Sequence, residues 1–180
     1  MRFLSRTGSV LPYFVYAAGL LISLGLSSGD LVPDFSAVNQ EGKTVRIQEF
    51  RGKPVLIFFY PKDDTPGCTK EVCSLRDQYQ AFQKVGVVIL GISRQDSASH
   101  RAFKAKHHLP FDLLTDPDGS VAQSLGVAKI PLIGLHQRQS ILMSASGKVI
   151  RFYPSVDPST HSQEVLRDLE EYAIRAGKSG

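Results

Sequence analysis

Two continuous apolar runs, with a helical pattern between them, restrict the fold of this chain most. The runs Pro54–Tyr60 and Val87–Ser93 have strand length and lack the polar–apolar alternation of a half-exposed strand. Between them, the segment 66–84 carries apolar residues three or four positions apart, at Val72, Leu75, Tyr79 and Phe82. That spacing is the period of an amphipathic helix. The pattern therefore predicts two buried strands joined through a helix.

The rest of the chain continues this alternation and ends in a hairpin and a helix. The predicted elements are a strand at 45–50, a helix at 97–108, a strand at 113–115, a helix at 118–125, hairpin strands at 140–145 and 149–153, and a helix at 160–176 with Val165, Leu169 and Tyr172 facing inward. This order is typical of an α/β thioredoxin-like fold, in which helices flank a central mixed β-sheet.

The first 29 residues differ in composition from the remainder. Arg2 and Arg6 precede an uncharged stretch, and the first acidic residue is Asp30. A positive start, an apolar middle and small residues at the exit are typical of an export signal. The apolar run at 10–26 is also close to the length of about 20 residues that spans a membrane, so an uncleaved membrane tether is an alternative.

We therefore expect residues 1–29 to be an export signal or membrane anchor, and residues 30–180 to be the folded domain. This places the protein in the periplasm or a lumen rather than in the cytoplasm or a plastid. An organelle-targeting peptide is less favoured, because such segments are Arg-rich and amphipathic.

The charge and the cysteine count exclude several classes of protein. The chain has 21 Lys and Arg against 17 Asp and Glu, without the basic run that would indicate nucleic-acid binding. Two cysteines are too few for a disulfide framework or a Cys-rich zinc site. The five histidines show no metal-ligand spacing, and we expect all of them on exposed helices or loops. We predict neither a cofactor nor a metal.

The first cysteine lies where a helix is predicted to begin. Thr65-Pro66 has the form of an N-cap followed by proline at the first helical position, and Cys68 comes three residues after the cap. A thiolate there would face free backbone N–H groups and the positive end of the helix dipole, and the Thr65 hydroxyl could reach it. Asp63 and Asp64 oppose a negative sulfur, so a cation must come from elsewhere in the chain.

The second cysteine follows five residues later, at Cys73. In a regular helix the two Cα atoms would be about 8–9 Å apart, beyond the limit of about 7 Å for a disulfide. If both thiols act in one cycle, the first turns of the helix must unwind. Cys73 as a small buried apolar residue is an equally good interpretation of the spacing.

Pro61-x-x-x-Thr65-x-x-Cys68 resembles the active-site motif of the peroxiredoxins. The longer segment 59–77 is similar to the peroxiredoxin Q subgroup, also called bacterioferritin comigratory protein. Further segments also resemble that subgroup: 29–35, 50–55, 91–93, 96–100 and 109–116.

The resemblance implies a thiol peroxidase that reduces hydrogen peroxide and organic hydroperoxides. Cys68 would be the peroxidatic cysteine, Thr65 would orient the thiolate and the peroxide, and Pro61 would shield the pocket. Arg138 matches the family's distant arginine, although His136-Gln137 replaces the usual Pro-Gly before it. Cys73 would resolve the oxidised sulfur as an intramolecular disulfide, which thioredoxin or a related dithiol protein would reduce. The subgroup also implies a monomer.

Two other classes of function compete with this hypothesis. An exported copper chaperone of thioredoxin fold would use both cysteines and a third ligand, for which His136 is the candidate. A disulfide reductase would need a Cys-x-x-Cys motif, which the sequence lacks.

Overall fold

Strands and helices alternate along the chain much as the apolar pattern predicts. In the computed structural model, which describes residues 26–177, the strands are β1 (Ser36–Asn39), β2 (Thr44–Arg46), β3 (Val55–Phe59), β4 (Val88–Ser93), β5 (Asp112–Thr115), β6 (Gln139–Met143) and β7 (Val149–Tyr153). The helices are α1 (Pro66–Asp77), α2 (Tyr79–Lys84), α3 (Ser97–Lys106), α4 (Ser120–Ser124) and α5 (His161–Gly177), with a 3₁₀ helix at Ile47–Phe50.

All seven strands belong to one mixed sheet, in the order β2-β1-β5-β4-β3-β6-β7. The pairs β3–β4 and β4–β5 are parallel, and the other neighbours are antiparallel. The predicted central mixed sheet flanked by helices is therefore confirmed. Strands β4 and β3, the fourth and fifth of the seven, come from the two apolar runs that most restrict the fold.

Strand β3 contributes to two separate cores because successive side chains of a strand point to opposite faces. Val55, Ile57 and Phe59 pack on one face with the residues of α4. Leu56 and Phe58 pack on the other face, which α1, α2, α3 and α5 cover. The peroxidatic candidate Cys68 belongs to this second core. The sheet thus supplies a rigid, dry base for the start of α1.

Four details differ from the sequence prediction. The predicted helix at 66–84 is interrupted at Gln78, which ends α1 and precedes α2. The predicted strand at 45–50 turns into the 3₁₀ helix after Arg46. Strand β1 was not predicted, and Tyr172, predicted to face inward, is 41% exposed.

Residues on either side of Asp30 contact strand β7 and the turn before it. The Gly29 N–H donates to the carbonyl of Val149 at 2.8 Å, and Leu31 forms a bridge to Lys148. The predicted leader or anchor falls almost wholly on residues 1–25, outside the described residues. Within 26–177, no helix has the length and apolar character needed to cross a membrane.

Candidate active site

The turn into α1 has the predicted helix start. Thr65 is the N-cap residue with an extended backbone (φ −87°, ψ 150°), and Pro66 occupies the first helical position. Proline suits this position because its missing N–H would have no partner in the helix. Cys68 is then the third helical residue, and its side chain is fully buried. The sulfur is therefore held close to the positive end of the helix dipole.

The Thr65 hydroxyl does not contact the sulfur as the sequence suggested. It donates instead to the carbonyl of Lys62 at 3.1 Å. This bond closes the loop that precedes the helix, and the Thr65 carbonyl accepts the first helical bond, from the Thr69 N–H at 2.8 Å. In this conformation Thr65 shapes the backbone around Cys68 rather than touching its sulfur.

Arg138 supplies the cation that the sequence lacks near Cys68. Its Nη2 donates to Cys68 Sγ at 3.3 Å, and its Nη1 donates to the Glu71 carboxylate. Gly67 permits this approach, because a Cβ at that position would lie 3.2 Å from Arg138 Nη2. Burial disfavours the charged guanidinium, but Glu71 and then Cys68 outweigh it and raise the pKa of Arg138 above its usual range. The guanidinium is therefore positioned to stabilise negative charge on the sulfur.

Glu71 is a residue of the site that the sequence analysis missed. It lies three positions after Cys68 on the same helix face, a spacing that does indicate proximity. Its side chain is fully buried, and burial raises its pKa to about 7 despite the neighbouring Arg138. One carboxylate oxygen, Oε1, has no hydrogen-bond partner among the described residues. Glu71 fixes one arm of Arg138 while the other arm reaches Cys68.

Replacing Glu71 with Gln should remove a pH-dependent loss of stability. The folded protein keeps a proton on Glu71 up to about pH 7, whereas the unfolded chain loses it near its ordinary pKa of 4.5. The stabilisation that comes from the raised pKa of Glu71 is therefore complete below about pH 4.5 and is lost as the pH rises to about 7. A shift of this size corresponds to a fall on the order of 3 kcal/mol in the free energy of unfolding. Urea unfolding of both proteins at about pH 5 and about pH 7.5 measures it.

The comparison uses the difference between wild type and Glu71→Gln, because other groups titrate in both proteins. Burial and then Arg138 lower the pKa of His161 to about 4, so His161 makes stability rise with pH over an overlapping range. The exposed Glu170→Gln is the matched control and should keep the wild-type profile. An unchanged profile in Glu71→Gln would show that the buried carboxylate does not titrate in this range.

A surface groove leads to Arg138. It has a volume of about 320 Å³ and is lined by Pro61, Ile130, Gln137, Arg138, Pro154, Ser155 and Val156. Cys68 is not part of this lining, and its side chain is fully buried. The predicted residues Pro61 and Arg138 thus share one groove, whose walls are a mixture of polar and apolar side chains.

A buried network supports the loop between Pro61 and Thr65. Asp63 accepts from the Tyr60 hydroxyl at 2.7 Å, and its other oxygen lies 2.9 Å from Nδ1 of His100. Although burial opposes ionisation, the hydrogen bonds from His100, Ser99 and Tyr60 lower the pKa of Asp63. The second ring nitrogen of His100 lies 3.2 Å from the Leu114 carbonyl. This network ties the loop to α3 and β5.

Four of the five histidines contradict the prediction that all are exposed. His100, His136 and His161 are buried, and His107 is half-buried. His161 Nε2 lies 3.0 Å from the Ser140 hydroxyl, and His136 Nε2 lies 3.1 Å from Asp116 Oδ2, although without hydrogen-bond alignment. Since His136 pairs with Asp116 rather than with a cysteine, the copper-chaperone hypothesis is not favoured. Among residues 26–177, no three His, Cys, Asp or Glu side chains are grouped to hold a metal.

Cys73 lies in the same unbroken helix as Cys68 and is half-buried. Five residues of helix separate their Cα atoms by about 8–9 Å, so no disulfide can form without unwinding. Arg76, the other arginine near the cysteines, donates to the His107 carbonyl at 2.9 Å and pairs with Asp77. Arg138 is thus the arginine that contacts Cys68.

Comparison with known proteins decides the family. A protein-family model described as the AhpC/TSA family matches residues 28–152. The chain belongs to the AhpC/TSA family. It is 38% identical over 172 residues to a chloroplastic peroxiredoxin Q of Gentiana triflora, covering 94% of this chain and 79% of that protein. It is 37% identical over 154 residues to a putative peroxiredoxin bcp of Coxiella burnetii, covering 81% of this chain and 100% of that protein.

A solved structure supports the same placement. The crystal structure of peroxidoxin BcpB from Mycobacterium tuberculosis matches this family member with a TM-score of 0.76 at 31% sequence identity. The match covers 81% of this chain and 97% of that one. The predicted thioredoxin-like fold and the resemblance to the peroxiredoxin Q and bacterioferritin comigratory subgroup are confirmed.

The predicted location of this family member, exported or membrane-anchored, is wrong. The similar relatives are named as chloroplastic proteins of plants and as a bacterial bcp protein, which point to a plastid or the cytoplasm. Export signals and plastid-targeting peptides share two features: both carry positive charge and both are poor in acidic residues. These shared features do not distinguish the two kinds of segment, so the apolar run at 10–26 alone favoured export.

Proposed function

We propose that Cys68 is the peroxidatic cysteine of this family member, which is a thioredoxin-dependent thiol peroxidase. The observation that carries the assignment is the contact of Arg138 Nη2 with the buried sulfur of Cys68 at 3.3 Å. A cysteine thiolate is the nucleophilic form of the side chain, and a fixed guanidinium favours that form. The start of α1 adds the partial positive charge of the helix dipole.

In the first step the Cys68 thiolate attacks the terminal oxygen of a hydroperoxide. The sulfur–oxygen bond forms as the oxygen–oxygen bond breaks, so Cys68 becomes a sulfenic acid and the peroxide leaves as an alkoxide or hydroxide that takes a proton. Arg138 faces both the sulfur and the groove, where it can stabilise the charge that develops between them. Thr65 holds the loop around the reacting atoms through Lys62, and Pro61 forms the groove wall.

In the second step the Cys73 sulfur displaces the hydroxyl of the sulfenic acid and forms a disulfide with Cys68. This step requires the first turns of α1 to unwind, which also releases the sulfur from Arg138. Thioredoxin or a related dithiol protein then reduces the disulfide by thiol–disulfide exchange. Support for this cycle comes from the two cysteines on one short helix and from the family resemblance.

Replacing Cys73 with Ser should separate the two steps. The reaction of Cys68 with hydrogen peroxide should keep its rate, because Arg138 and the start of α1 are untouched. Thioredoxin-coupled turnover should fall at least about 100-fold, since no intramolecular disulfide can form. NADPH oxidation in a thioredoxin and thioredoxin-reductase system measures turnover, and mass spectrometry after dimedone treatment detects the sulfenic acid. Full coupled turnover in Cys73→Ser would refute the resolving role and leave the peroxidase activity standing.

We also propose that residues 30–180 form the peroxidase domain and that it acts as a monomer. The first proposal is supported by the continuous sheet, to which residues near 29 already contribute. The second rests on the resemblance to the subgroup. Light scattering behind size-exclusion chromatography measures the mass in solution.

A further inference from the structure

The Cys73 thiol contacts a histidine, and that histidine in turn contacts a carboxylate. Its Sγ lies 3.9 Å from Nδ1 of His107, at the end of α3. The opposite ring nitrogen, Nε2, lies 3.1 Å from Oδ1 of Asp64, in the loop before α1. The three side chains come from separate parts of the chain and form a line of thiol, imidazole and carboxylate. The same order of groups activates nucleophiles in hydrolases.

The surroundings fix the orientation of the His107 ring. Hydrogen bonds from Lys106 and then His107 lower the pKa of Asp64, so its carboxylate is charged at neutral pH. A charged carboxylate accepts the Nε2–H, which leaves the lone pair of Nδ1 directed at the sulfur. The Phe103 ring packs edge-on against the imidazole, with centroids 5.0 Å apart. The half-buried His107 is therefore set up as a proton acceptor toward Cys73.

The part of α1 that carries Cys73 is anchored independently of Cys68. The Ser74 and Ser162 hydroxyls are 2.7 Å apart and join α1 to α5. Arg76 Nη1 donates to the His107 carbonyl at 2.9 Å and joins α1 to the end of α3. If α1 unwinds from Pro66 toward Cys73, Cys68 can therefore move to the Cys73 sulfur while Cys73 keeps its contact with His107.

We propose that His107 is the base that deprotonates Cys73 for disulfide formation, and that Asp64 is its positioning residue. This proposal rests on the resolving role of Cys73 proposed above. Nδ1 of His107 takes the thiol proton, and the thiolate attacks the sulfenic sulfur of Cys68. The new sulfur–sulfur bond forms as the sulfur–oxygen bond breaks, and the departing hydroxide takes the proton from the imidazolium and leaves as water. No external oxidant or reductant is needed, because the sulfenic acid is the oxidant.

Other charged groups also face this pair and must be separated from His107 in the test. Helix α1 contributes Lys70, Arg76 and Asp77, the loop before it contributes Asp64, and α3 contributes Lys106. Helix α5 presents only the uncharged Ser162 and Gln163 to the groove beside Cys73. Lys70 and Arg76 would favour a thiolate by charge alone, whereas His107 contacts the Cys73 thiol and can take its proton.

The test uses His107→Asn with His108→Asn as the matched control. His108 is exposed and has a positive φ of 52°, a conformation that Asn adopts readily. Stopped-flow mixing with hydrogen peroxide separates a peroxide-dependent oxidation from a peroxide-independent disulfide step. In His107→Asn the oxidation should be unchanged, and the disulfide step should slow about 10- to 30-fold at pH 7, because an unaided thiol with a pKa of about 8.5 is only about 3% ionised there. Asp64→Asn should slow it by a smaller factor, and His108→Asn should leave both steps at wild-type rates.

The pH profile distinguishes a base from a packing residue. An unaided cysteine ionises near pH 8.5, so the disulfide rates of wild type and His107→Asn should converge above about pH 9. A ratio that stays constant from pH 6 to 9 would mean that His107 only controls helix unwinding, and would overturn the proposal. A wild-type disulfide rate in His107→Asn would overturn it as well. If Cys73→Ser still shows the peroxide-independent step, the resolving role of Cys73 itself fails. That result is distinct from the two results for His107→Asn that would overturn only the role of His107.

Discussion

Cys68→Ser should lose peroxide consumption entirely, a fall of at least about 1,000-fold. The serine hydroxyl is far less acidic than a thiol, and the described group that is hydrogen-bonded to the sulfur of Cys68 is the guanidinium of Arg138, which is a donor only. The hydroxyl would therefore stay protonated and un-nucleophilic in the pocket. Loss of hydrogen peroxide, followed with a ferrous xylenol-orange assay, measures the rate with and without a thioredoxin system.

The chain offers a direct control for this result. It contains two cysteines, so Cys68→Ser leaves Cys73 as the single thiol and Cys73→Ser leaves Cys68. We expect one equivalent of peroxide per chain to be consumed rapidly by Cys73→Ser without reductant, and none by Cys68→Ser. Circular dichroism of both variants checks the fold. Rapid consumption by Cys68→Ser would move the peroxidatic role to Cys73.

The central strands were predictable because burial on both faces leaves a continuous apolar run. Every residue of β3 is buried, and the sequence shows this as 54–60 without a polar interruption. Strand β1 gives no such signal, because it has four residues of which two are exposed. The break at Gln78 was equally hidden, since the apolar spacing continues across it from Leu75 to Tyr79.

The buried histidines show why polar burial escapes this kind of prediction. A buried imidazole needs a partner, and that partner is distant in sequence: His100 contacts Asp63 from 37 positions away. His161 likewise lies against Ser140, 21 positions away. Periodicity reports which face of an element is apolar, but not which polar groups meet across elements. The expectation of exposure failed for that reason.

The residues of the candidate site that are close in sequence could be predicted, whereas those that are distant in sequence could not. Cys68 at the helix start is set by its neighbours, because Thr65 and Pro66 determine where α1 begins. Arg138 is 70 positions away and was found only through the family resemblance. The position of Glu71, three residues after Cys68, indicates that the two side chains share a helix face. Its role in the site, however, depends on Arg138, which is distant in sequence. Geometry that is local in sequence was predictable, and the ion pair was not.

Arg138→Met should slow the reaction of Cys68 with hydroperoxide by about 100- to 1,000-fold. Removal of one fixed donor to developing negative charge typically costs about that factor, on the order of 3–4 kcal/mol. Arg138→Lys should retain part of the rate, about 10-fold below wild type, because an ammonium is a point charge that cannot bridge Cys68 and Glu71 as the fork does. Single-turnover stopped-flow measurements of the second-order rate constant distinguish the three proteins.

The loss in Arg138→Met must be separated from damage to the fold, because the change leaves Glu71 buried without its partner. The double variant Glu71→Gln with Arg138→Met removes the stranded carboxylate, so it should regain thermal stability but keep the slow reaction. Arg151→Lys, which alters a β7 arginine that pairs with Asp168 of α5, is the control and should react at the wild-type rate. A double variant that recovers both stability and rate would place the role of Arg138 in holding α1 rather than in stabilising the reacting sulfur.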